Sequence, residues 1–437
     1  MAAPNFSSTQ AEFAYAYTTI RELHGVVSAC PVEERSRWET LAQLFNQADA
    51  EQVTEIHLEP DEQCWRLRKR SPFNFTESRL DDACDQLEAL VLLQHYLWQD
   101  DFKADPVLST SRRGWFSFKV NNVDRLIQLD VARTSRGDTY LWTILQDTRS
   151  PPARLSDLAL TRAQQDTLRN LIKQNAGLIL LASRDTQSRV QTARAIAQEL
   201  VAPDKKIVCA DLPGHPLLPR ISQLSMDMVA TPNQRQAWPA LCDFNCDAIV
   251  ACQDLDDEMT RQLARHTNES TLVVQALPVS SAADAINKLL STGVRSEAIA
   301  RSLSAIVVQH RLQCLCTYCR GPYSPDDRDT AWLAQYSPIR EGNINDWLRH
   351  RMRSSFSHAD GCDRCNHTGR GGILDLYCIL TLDDDVRDAL YDTDVRFAMT
   401  RLKEDKRIAS DLLKLAQEGI ITLAEAARIA PVSNMLP

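Results

Sequence analysis

Two cysteine pairs, Cys316-x2-Cys319 and Cys362-x2-Cys365, constrain this chain more than any other feature. Each reads as a knuckle, in "CLCTYCRG" and "GCDRCNHTG", with residues 320–361 between them. At this spacing two thiolates of one turn grip a metal, and two knuckles complete a tetrahedral sulfur site. Soft all-thiolate ligation selects Zn2+. Four thiolates leave no open coordination position, so the zinc is structural. Gly361, Gly369, Gly371 and Gly372 suit the tight turns of knuckles. Cys314 competes for a ligand role, but its spacing to Cys319 is poorer. His367, just after Cys365, reads as a surface or hydrogen-bonding residue of the knuckle, with a ligand role as the alternative.

A chain of 437 residues folds as two or three domains. Its formal net charge of −9 excludes a global field that draws it to nucleic acid or anionic membrane. No apolar run approaches the roughly 20 residues needed to span a bilayer. The start, "MAAPNFSSTQAEF", lacks the basic and apolar regions of a signal peptide. The 13 cysteines therefore read as reduced thiols plus one metal site, and the expected compartment is the cytosol.

Residues 1–50 carry apolar positions at helical spacing and are expected to be helical. From Val53 the texture changes to alternating, β-branched and aromatic runs: "TEIHLEP", "CWRLRKR", "GWFSFKV", "DRLIQLDVAR" and "TYLWTILQD". With the helical "DDACDQLEALVLLQHYLW" they predict a small α+β domain over 51–148. Residues 149–157, with two prolines, read as a linker. Strands then alternate with helices, from "GLILLAS" through "KKIVCAD" and "DAIVACQD" to "STLVVQAL", which implies a parallel sheet with crossovers. "SAADAINKLLSTGV" and "SEAIARSLSAIVVQHRL" are both expected to be helical, and helices close the chain. The "RLRKR" cluster at 66–70 reads as a solvated hairpin, with an acidic neighbour or a membrane surface as alternatives. His57 and Glu59 suggest a charged pair on a strand.

"TEIHLEP" at 54–60, a parallel α/β domain, the double knuckle followed by "GRGGILDLYCIL", and "GIITLAE" at 419–425 come in an order that resembles the secretion/pilus-assembly ATPases, the type II secretion and type IV pilus extension motors. The resemblance covers about residues 53–430. It implies a RecA-like core over 158–313, a tetracysteine zinc module inserted over 314–375, and a helical remainder of the core over 376–437. It also implies Mg-ATP bound between subunits of a ring and hydrolysis converted to motion.

The resemblance places each chemical position in this chain, and each is altered. The phosphate loop, Gly-Pro-Thr-Gly-Ser-Gly-Lys-Ser/Thr in the family, falls on Ser183, Arg184, Asp185, Thr186, Gln187, Ser188, Arg189 and Val190. All three glycines are replaced, and a non-glycine residue costs about 1–2 kcal/mol to enter the left-handed region. Arg189 keeps the lysine's charge on a bulkier planar fork. Val190 removes the hydroxyl that would hold Mg2+. Asp185 adds a negative charge where phosphates would sit. The acidic box becomes Asp211-Leu212-Pro213-Gly214-His215, with His215 where a second glutamate belongs. The Walker B position is the neutral Gln253; Asp254 is shifted by one residue, while Asp256 and Glu258 match later acidic positions. Pro278 stands where the family has a histidine. Two N-terminal-domain arginines become Gln128 and Thr143, with Arg133 and Arg136 nearby.

Phosphoryl transfer depends on positioning and electrostatics, so these changes predict a pseudo-ATPase with the scaffold kept. ATP and Mg2+ are doubtful cofactors. The partners implied by resemblance are an inner-membrane platform protein, other secretion or pilus subunits, and either an active paralogous ATPase or further copies of this chain, with no specific nucleic acid and with recruitment to the membrane through them. Two alternatives stay open: a divergent active ATPase using Arg189 with Asp254 or Asp256, and a zinc-stabilised adaptor unrelated to ATPases.

Overall fold

A computed structural model describes residues 21–22, 32–51, 53–61, 64–70, 75–80, 86, 89–90, 93, 111–121, 123–147, 154–211, 217–225, 238, 245–267, 271–336, 356–365, 367–402 and 405–431. The chain divides into two compact units. One comprises 1–151 with 212–216, and the other 152–211 with 217–437.

The first unit contains β1 (Arg21–Glu22), α1 (Val32–Ala50), β2 (Glu55–Pro60), β3 (Trp65–Arg70), β4 (Phe75–Leu80), β5 (Ser111–Val120), β6 (Val123–Thr134) and β7 (Gly137–Asp147). They form a seven-stranded sheet in the order β1-β5-β6-β7-β2-β3-β4. Only β1 pairs in parallel; the other neighbours are antiparallel. Helix α1 presents Trp38, Leu41, Phe45 and Ala48 at three- and four-residue intervals, and all four are buried with Ile56, Phe116 and Trp142. Phe45 meets Phe118 edge-on at 5.6 Å between centroids. The all-helical expectation for residues 1–50 is corrected at Arg21–Glu22, which is strand.

The basic strand β3 is neutralised by carboxylates of its own unit. Arg66 meets Asp61 at 2.6 Å, Arg68 meets Glu59 at 3.0 Å, and Lys69 meets Glu51 at 3.1 Å. The expected His57–Glu59 pair is likewise replaced: His57 lies 3.5 Å from Glu55. Gln128 and Thr143 are direct cross-strand partners, so β6 and β7 bring the two substituted arginine positions together. Arg133 pairs with Asp138 at 3.2 Å and Arg136 with Asp61 at 3.1 Å.

The second unit runs α2 (Arg162–Lys173), β8 (Gly177–Ala182), α3 (Thr186–Glu199), β9 (Ile207–Asp211), β10 (Ser222–Ser225), β11 (Ala248–Ala251), α4 (Asp257–Arg265), β12 (Leu272–Leu277), α5 (Ala282–Ser291), α6 (Ser296–Ser302) and β13 (Leu303–Leu315). It continues through β14 (Arg320–Tyr323), α7 (Asp327–Tyr336), β15 (Phe356–Ala359), β16 (Arg370–Thr381), α8 (Asp384–Tyr391), α9 (Val395–Arg401), α10 (Asp405–Gln417) and α11 (Leu423–Ile429). Its main sheet has the order β10-β9-β11-β12-β8-β13-β16. All neighbours pair in parallel except β13 with β16. β8, β9, β11 and β12 are buried almost throughout and mainly apolar, with only Asp211 and Gln275 polar, as in sheets covered on both faces.

One helix expectation is corrected here. "SEAIARS" is helical as α6, but "LSAIVVQHRLQCL" is the 13-residue strand β13. Its partner β16 crosses the expected boundary between the cysteine module and the helical remainder. A buried polar trio links β13, β16 and α3: the Thr192 hydroxyl lies 3.0 Å from Gln309 Oε1 and 3.1 Å from the Tyr377 hydroxyl, to which Gln309 Nε2 donates at 3.0 Å. Satisfied networks of this kind fix packing.

Candidate functional site

The strand-to-helix turn after β8 carries the positions where the resemblance puts the phosphate loop. The connection is only Ser183, Arg184 and Asp185, since α3 already starts at Thr186. None of residues 183–190 has a positive φ. The backbone therefore makes no alternating nest of N–H groups, the device that cradles anions. Thr186, Gln187 and Ser188, which cover two of the substituted glycine positions, form the first turn of α3.

That helix end already holds an anion. Asp185 is the N-cap of α3, and its carboxylate accepts the Ser188 N–H at 2.7 Å. A carboxylate here satisfies free N–H groups and the positive end of the helix dipole. Asp185 also meets Arg311 at 2.9 Å, and Arg311 reaches Asp375 at 3.4 Å. The Ser188 hydroxyl donates to Asp375 at 3.1 Å. Burial pushes the Asp375 carboxyl up, while Arg311 and Ser188 oppose that shift. Replacing Asp185 by Ala is expected to cost about 1 kcal/mol, chiefly the lost cap. Asn, which also caps, should recover most of it; urea-unfolding midpoints of the three proteins measure this.

Arg189, on the first turns of α3, is buried, at 2% exposure, and turns back toward the end of β8. Its Nη1 donates to the Ser183 carbonyl at 2.5 Å. Burial weakens the hold on its proton, and the neighbouring Asp254 and Asp185 charges counter that. Asp254 is itself pushed up by burial, with Lys288 4.0 Å away. Val190 is core.

The acidic positions have structural work. Asp211 ends β9 fully buried, bonded to Arg194 of α3 and accepting from Gln223 Nε2 at 2.9 Å. His215 lies outside the described residues. Gln253 is buried after β11. Asp256 is the N-cap of α4, accepting the Met259 N–H at 2.9 Å. Glu258 pairs with Arg261 at 2.6 Å on the surface, and that pairing holds its carboxyl low. Sequence reasoning missed Arg311, Asp375 and Arg194. The available signal was a lone charge inside each mainly apolar run, "IVVQHRL", "GILDLYCIL" and "ARAIA".

The four knuckle cysteines do converge. Antiparallel pairing of β14 with β15 sets Arg320 against Ala359. The segments flanking those strands at one end carry Cys316 and Cys319 on one side and Cys362 and Cys365 on the other. All four sulfurs lie within 4.8 Å of one another, close enough to hold a metal. The Cys319–Cys365 and Cys362–Cys365 separations are both 3.8 Å, and Cys316–Cys362 is 4.0 Å. Tetrahedral ligation at about 2.3 Å per Zn–S bond sets sulfurs about 3.8 Å apart, so the set fits that ion. The N–H groups of Cys362 and Gly369 donate to the Cys365 sulfur at 3.1 and 3.2 Å. Burial opposes its ionisation, yet those donors hold its pKa down to about 6.

Gly361 and Gly369 take φ of 106° and 69°, and a Cβ at either would lie within 2.4 Å of a backbone oxygen. The turns therefore demand glycine. His367 is exposed and pairs with Asp363 at 3.1 Å, outside the sulfur cluster. Cys314 also stands outside it. Glu425 of the "GIITLAE" segment accepts the Gln313 N–H at 2.9 Å, which fastens α11 to β13.

Among solved structures the chain is similar to the pilus retraction motor PilT with bound ADP, at a TM-score of 0.53 and 15% identity over 91% of this chain and 98% of that one. It is equally similar to the Legionella pneumophila ATPase DotB, at a TM-score of 0.53 and 12% identity over 94% and 99%. At these identities the likeness concerns fold alone. In sequence it is 24% identical to the type II secretion system protein E of Dickeya dadantii over 65% of this chain and 55% of that protein. To the type IV pilus assembly ATPase PilB of Thermus thermophilus it is 21% identical over 92% and 44%. The chain thus spans about half the length of these relatives. The model of the family described as "Type II/IV secretion system protein" matches residues 134–428. With that match, on a parallel sheet of this order, the chain belongs to the type II/IV secretion system protein family.

Proposed function

We propose that this chain is a non-hydrolysing member of its family, a structural or regulatory subunit of a type II secretion or type IV pilus machine. The observation that carries this reading is the phosphate position filled by the chain's own groups, with Asp185 capping α3 and Arg189 held on the Ser183 carbonyl. A triphosphate there would meet the Asp185 carboxylate and find no nest. Mg2+ would find Val190 instead of a hydroxyl and Gln253 instead of a carboxylate. Catalysis of phosphoryl transfer consists of positioning and charge stabilisation, and this arrangement supplies neither.

In the same reading Cys316, Cys319, Cys362 and Cys365 hold a structural Zn2+, which organises the module between β13 and β16. The partners are an inner-membrane platform protein, other subunits of the machine and an active paralogous ATPase. The protein acts on the cytoplasmic side through them. No helix among the described residues is long and apolar enough to cross a membrane.

Calorimetric titration of the zinc-loaded protein with ATP, with and without Mg2+, is expected to give no heat up to millimolar ATP and no phosphate release. Micromolar Mg-dependent binding would sink the proposal. Turnover abolished by Arg189→Ala would establish the divergent-ATPase alternative.

A further inference from the structure

The larger unit holds a second group of metal-type donors. Cys209 and Asp211 on β9 and Cys252 just after β11 are each 0% exposed. Parallel pairing sets Cys209 against Val250. Cys252 lies two residues beyond Val250, and Asp211 two beyond Cys209, so all three side chains share one face of the sheet. The two sulfurs are 3.3 Å apart, and the ligand atoms of the three residues lie within 4.8 Å of one another. Among the described residues only this group and the knuckle cysteines close up so far.

We propose that Cys209, Cys252 and Asp211 form a binding site for one thiophilic divalent cation, Zn2+ or Cd2+, distinct from the tetracysteine site. A pair of buried cysteines is ordinarily just small apolar packing. Here the pair adjoins a fully buried carboxylate whose orientation is already set. Arg194 and Gln223 both donate to Asp211 Oδ2, as outer partners orient a ligating carboxylate.

Charge also balances. The Asp211–Arg194 pair is neutral, and so are two protonated thiols. Exchange of two thiol protons for one divalent cation, M2+ + 2 RSH → M(SR)2 + 2 H+, leaves the local charge unchanged. No uncompensated charge is buried, which is the term that forbids most ions in a core. Two sulfurs select a soft or borderline ion over Mg2+. The sulfurs need to part by about half an ångström to reach the separation of a shared Zn2+, a small side-chain rotation. Because all three donors are enclosed, the ion enters only when the sheet end opens locally, so exchange is slow.

The test is metal content of the full-length chain, equilibrated with excess Zn2+ under reducing conditions and then freed of loosely held metal. Wild type is expected to retain two zinc ions per chain. Cys209→Ala with Cys252→Ala should retain one, as should Cys362→Ser with Cys365→Ser. Replacement by Cd2+ should give thiolate charge-transfer absorbance for six sulfurs in wild type and four in the first variant. A single ion in wild type, or a second ion that survives loss of Cys209 and Cys252, overturns the proposal. Should the variant misfold, wild type alone decides: iodoacetamide labelling of Cys209 and Cys252 must slow at least tenfold with Zn2+, and an unchanged rate sinks the site.

Discussion

Cys362→Ser with Cys365→Ser is expected to release the module's zinc and abolish ordered structure in β14 and β15, while β8, β9, β11 and β12 keep theirs. Four-thiolate Zn2+ sites contribute on the order of 10 kcal/mol or more to the folding of the module that holds them. The two-stranded β14–β15 sheet is too small to stand unaided, since an isolated hairpin is marginal in water. The parallel strands are central to the large core around Leu180, Val208, Ile249 and Val273, which none of the four knuckle cysteines joins and which the small sheet reaches only through Phe356 and Tyr323. Hydrogen exchange resolves the two regions. Amides of β14 and β15 should lose protection in the variant, and those of β8 and β12 should retain it. If β14 and β15 stay protected without bound metal, the structural zinc is refuted. Chelation of wild type should reproduce the pattern, more readily in acid, because protons compete with the metal for the thiolates.

Asp211→Ala is expected to destabilise the larger unit by about 3–5 kcal/mol, because it strips the buried Arg194 guanidinium of the Asp211 carboxylate. Arg194 is 5% exposed, so water cannot take the carboxylate's place. The pair as a whole is dispensable in a way that its halves are not. Replacing both members by well-packed apolar residues, as in Asp211→Leu with Arg194→Met, should recover most of the loss. Denaturant unfolding followed by a signal from the larger unit measures both. Equal loss in the single and double variants would show that Asp211 acts on something other than Arg194.

The sequence made the architecture legible where period and punctuation agree. "GLILLAS", "KKIVCAD" and "STLVVQAL" are short apolar runs between amphipathic helices, and each is a parallel strand. The cysteine cluster was legible too, because ligand spacing is a local property. "SEAIARSLSAIVVQHRL" was not, since a continuous apolar run lacks the period that separates a buried strand from a buried helix. The backbone changes state between Ser302 and Leu303, and only pairing with β8 and β16 decides it. At the phosphate position the substitutions could be read, but their consequences could not. Nothing local tells that Arg189 folds back onto Ser183, or that Asp185 meets an arginine more than a hundred residues away.

The insertion point of the cysteine module has a kinetic consequence. β13 and β16 are antiparallel neighbours, with Leu315 set against Arg370, so residues 316–369 form one long excursion between two strands that must find each other. Closing such a loop costs entropy that grows with the logarithm of its length, and long-range pairing of this kind slows folding. In the reading proposed above, a metal clasping Cys316 and Cys319 to Cys362 and Cys365 would draw the two strand ends together before they pair. The ion would then serve the larger sheet as a chaperone of register. Refolding of β16 should accelerate with zinc concentration, even though none of its own residues touches the metal.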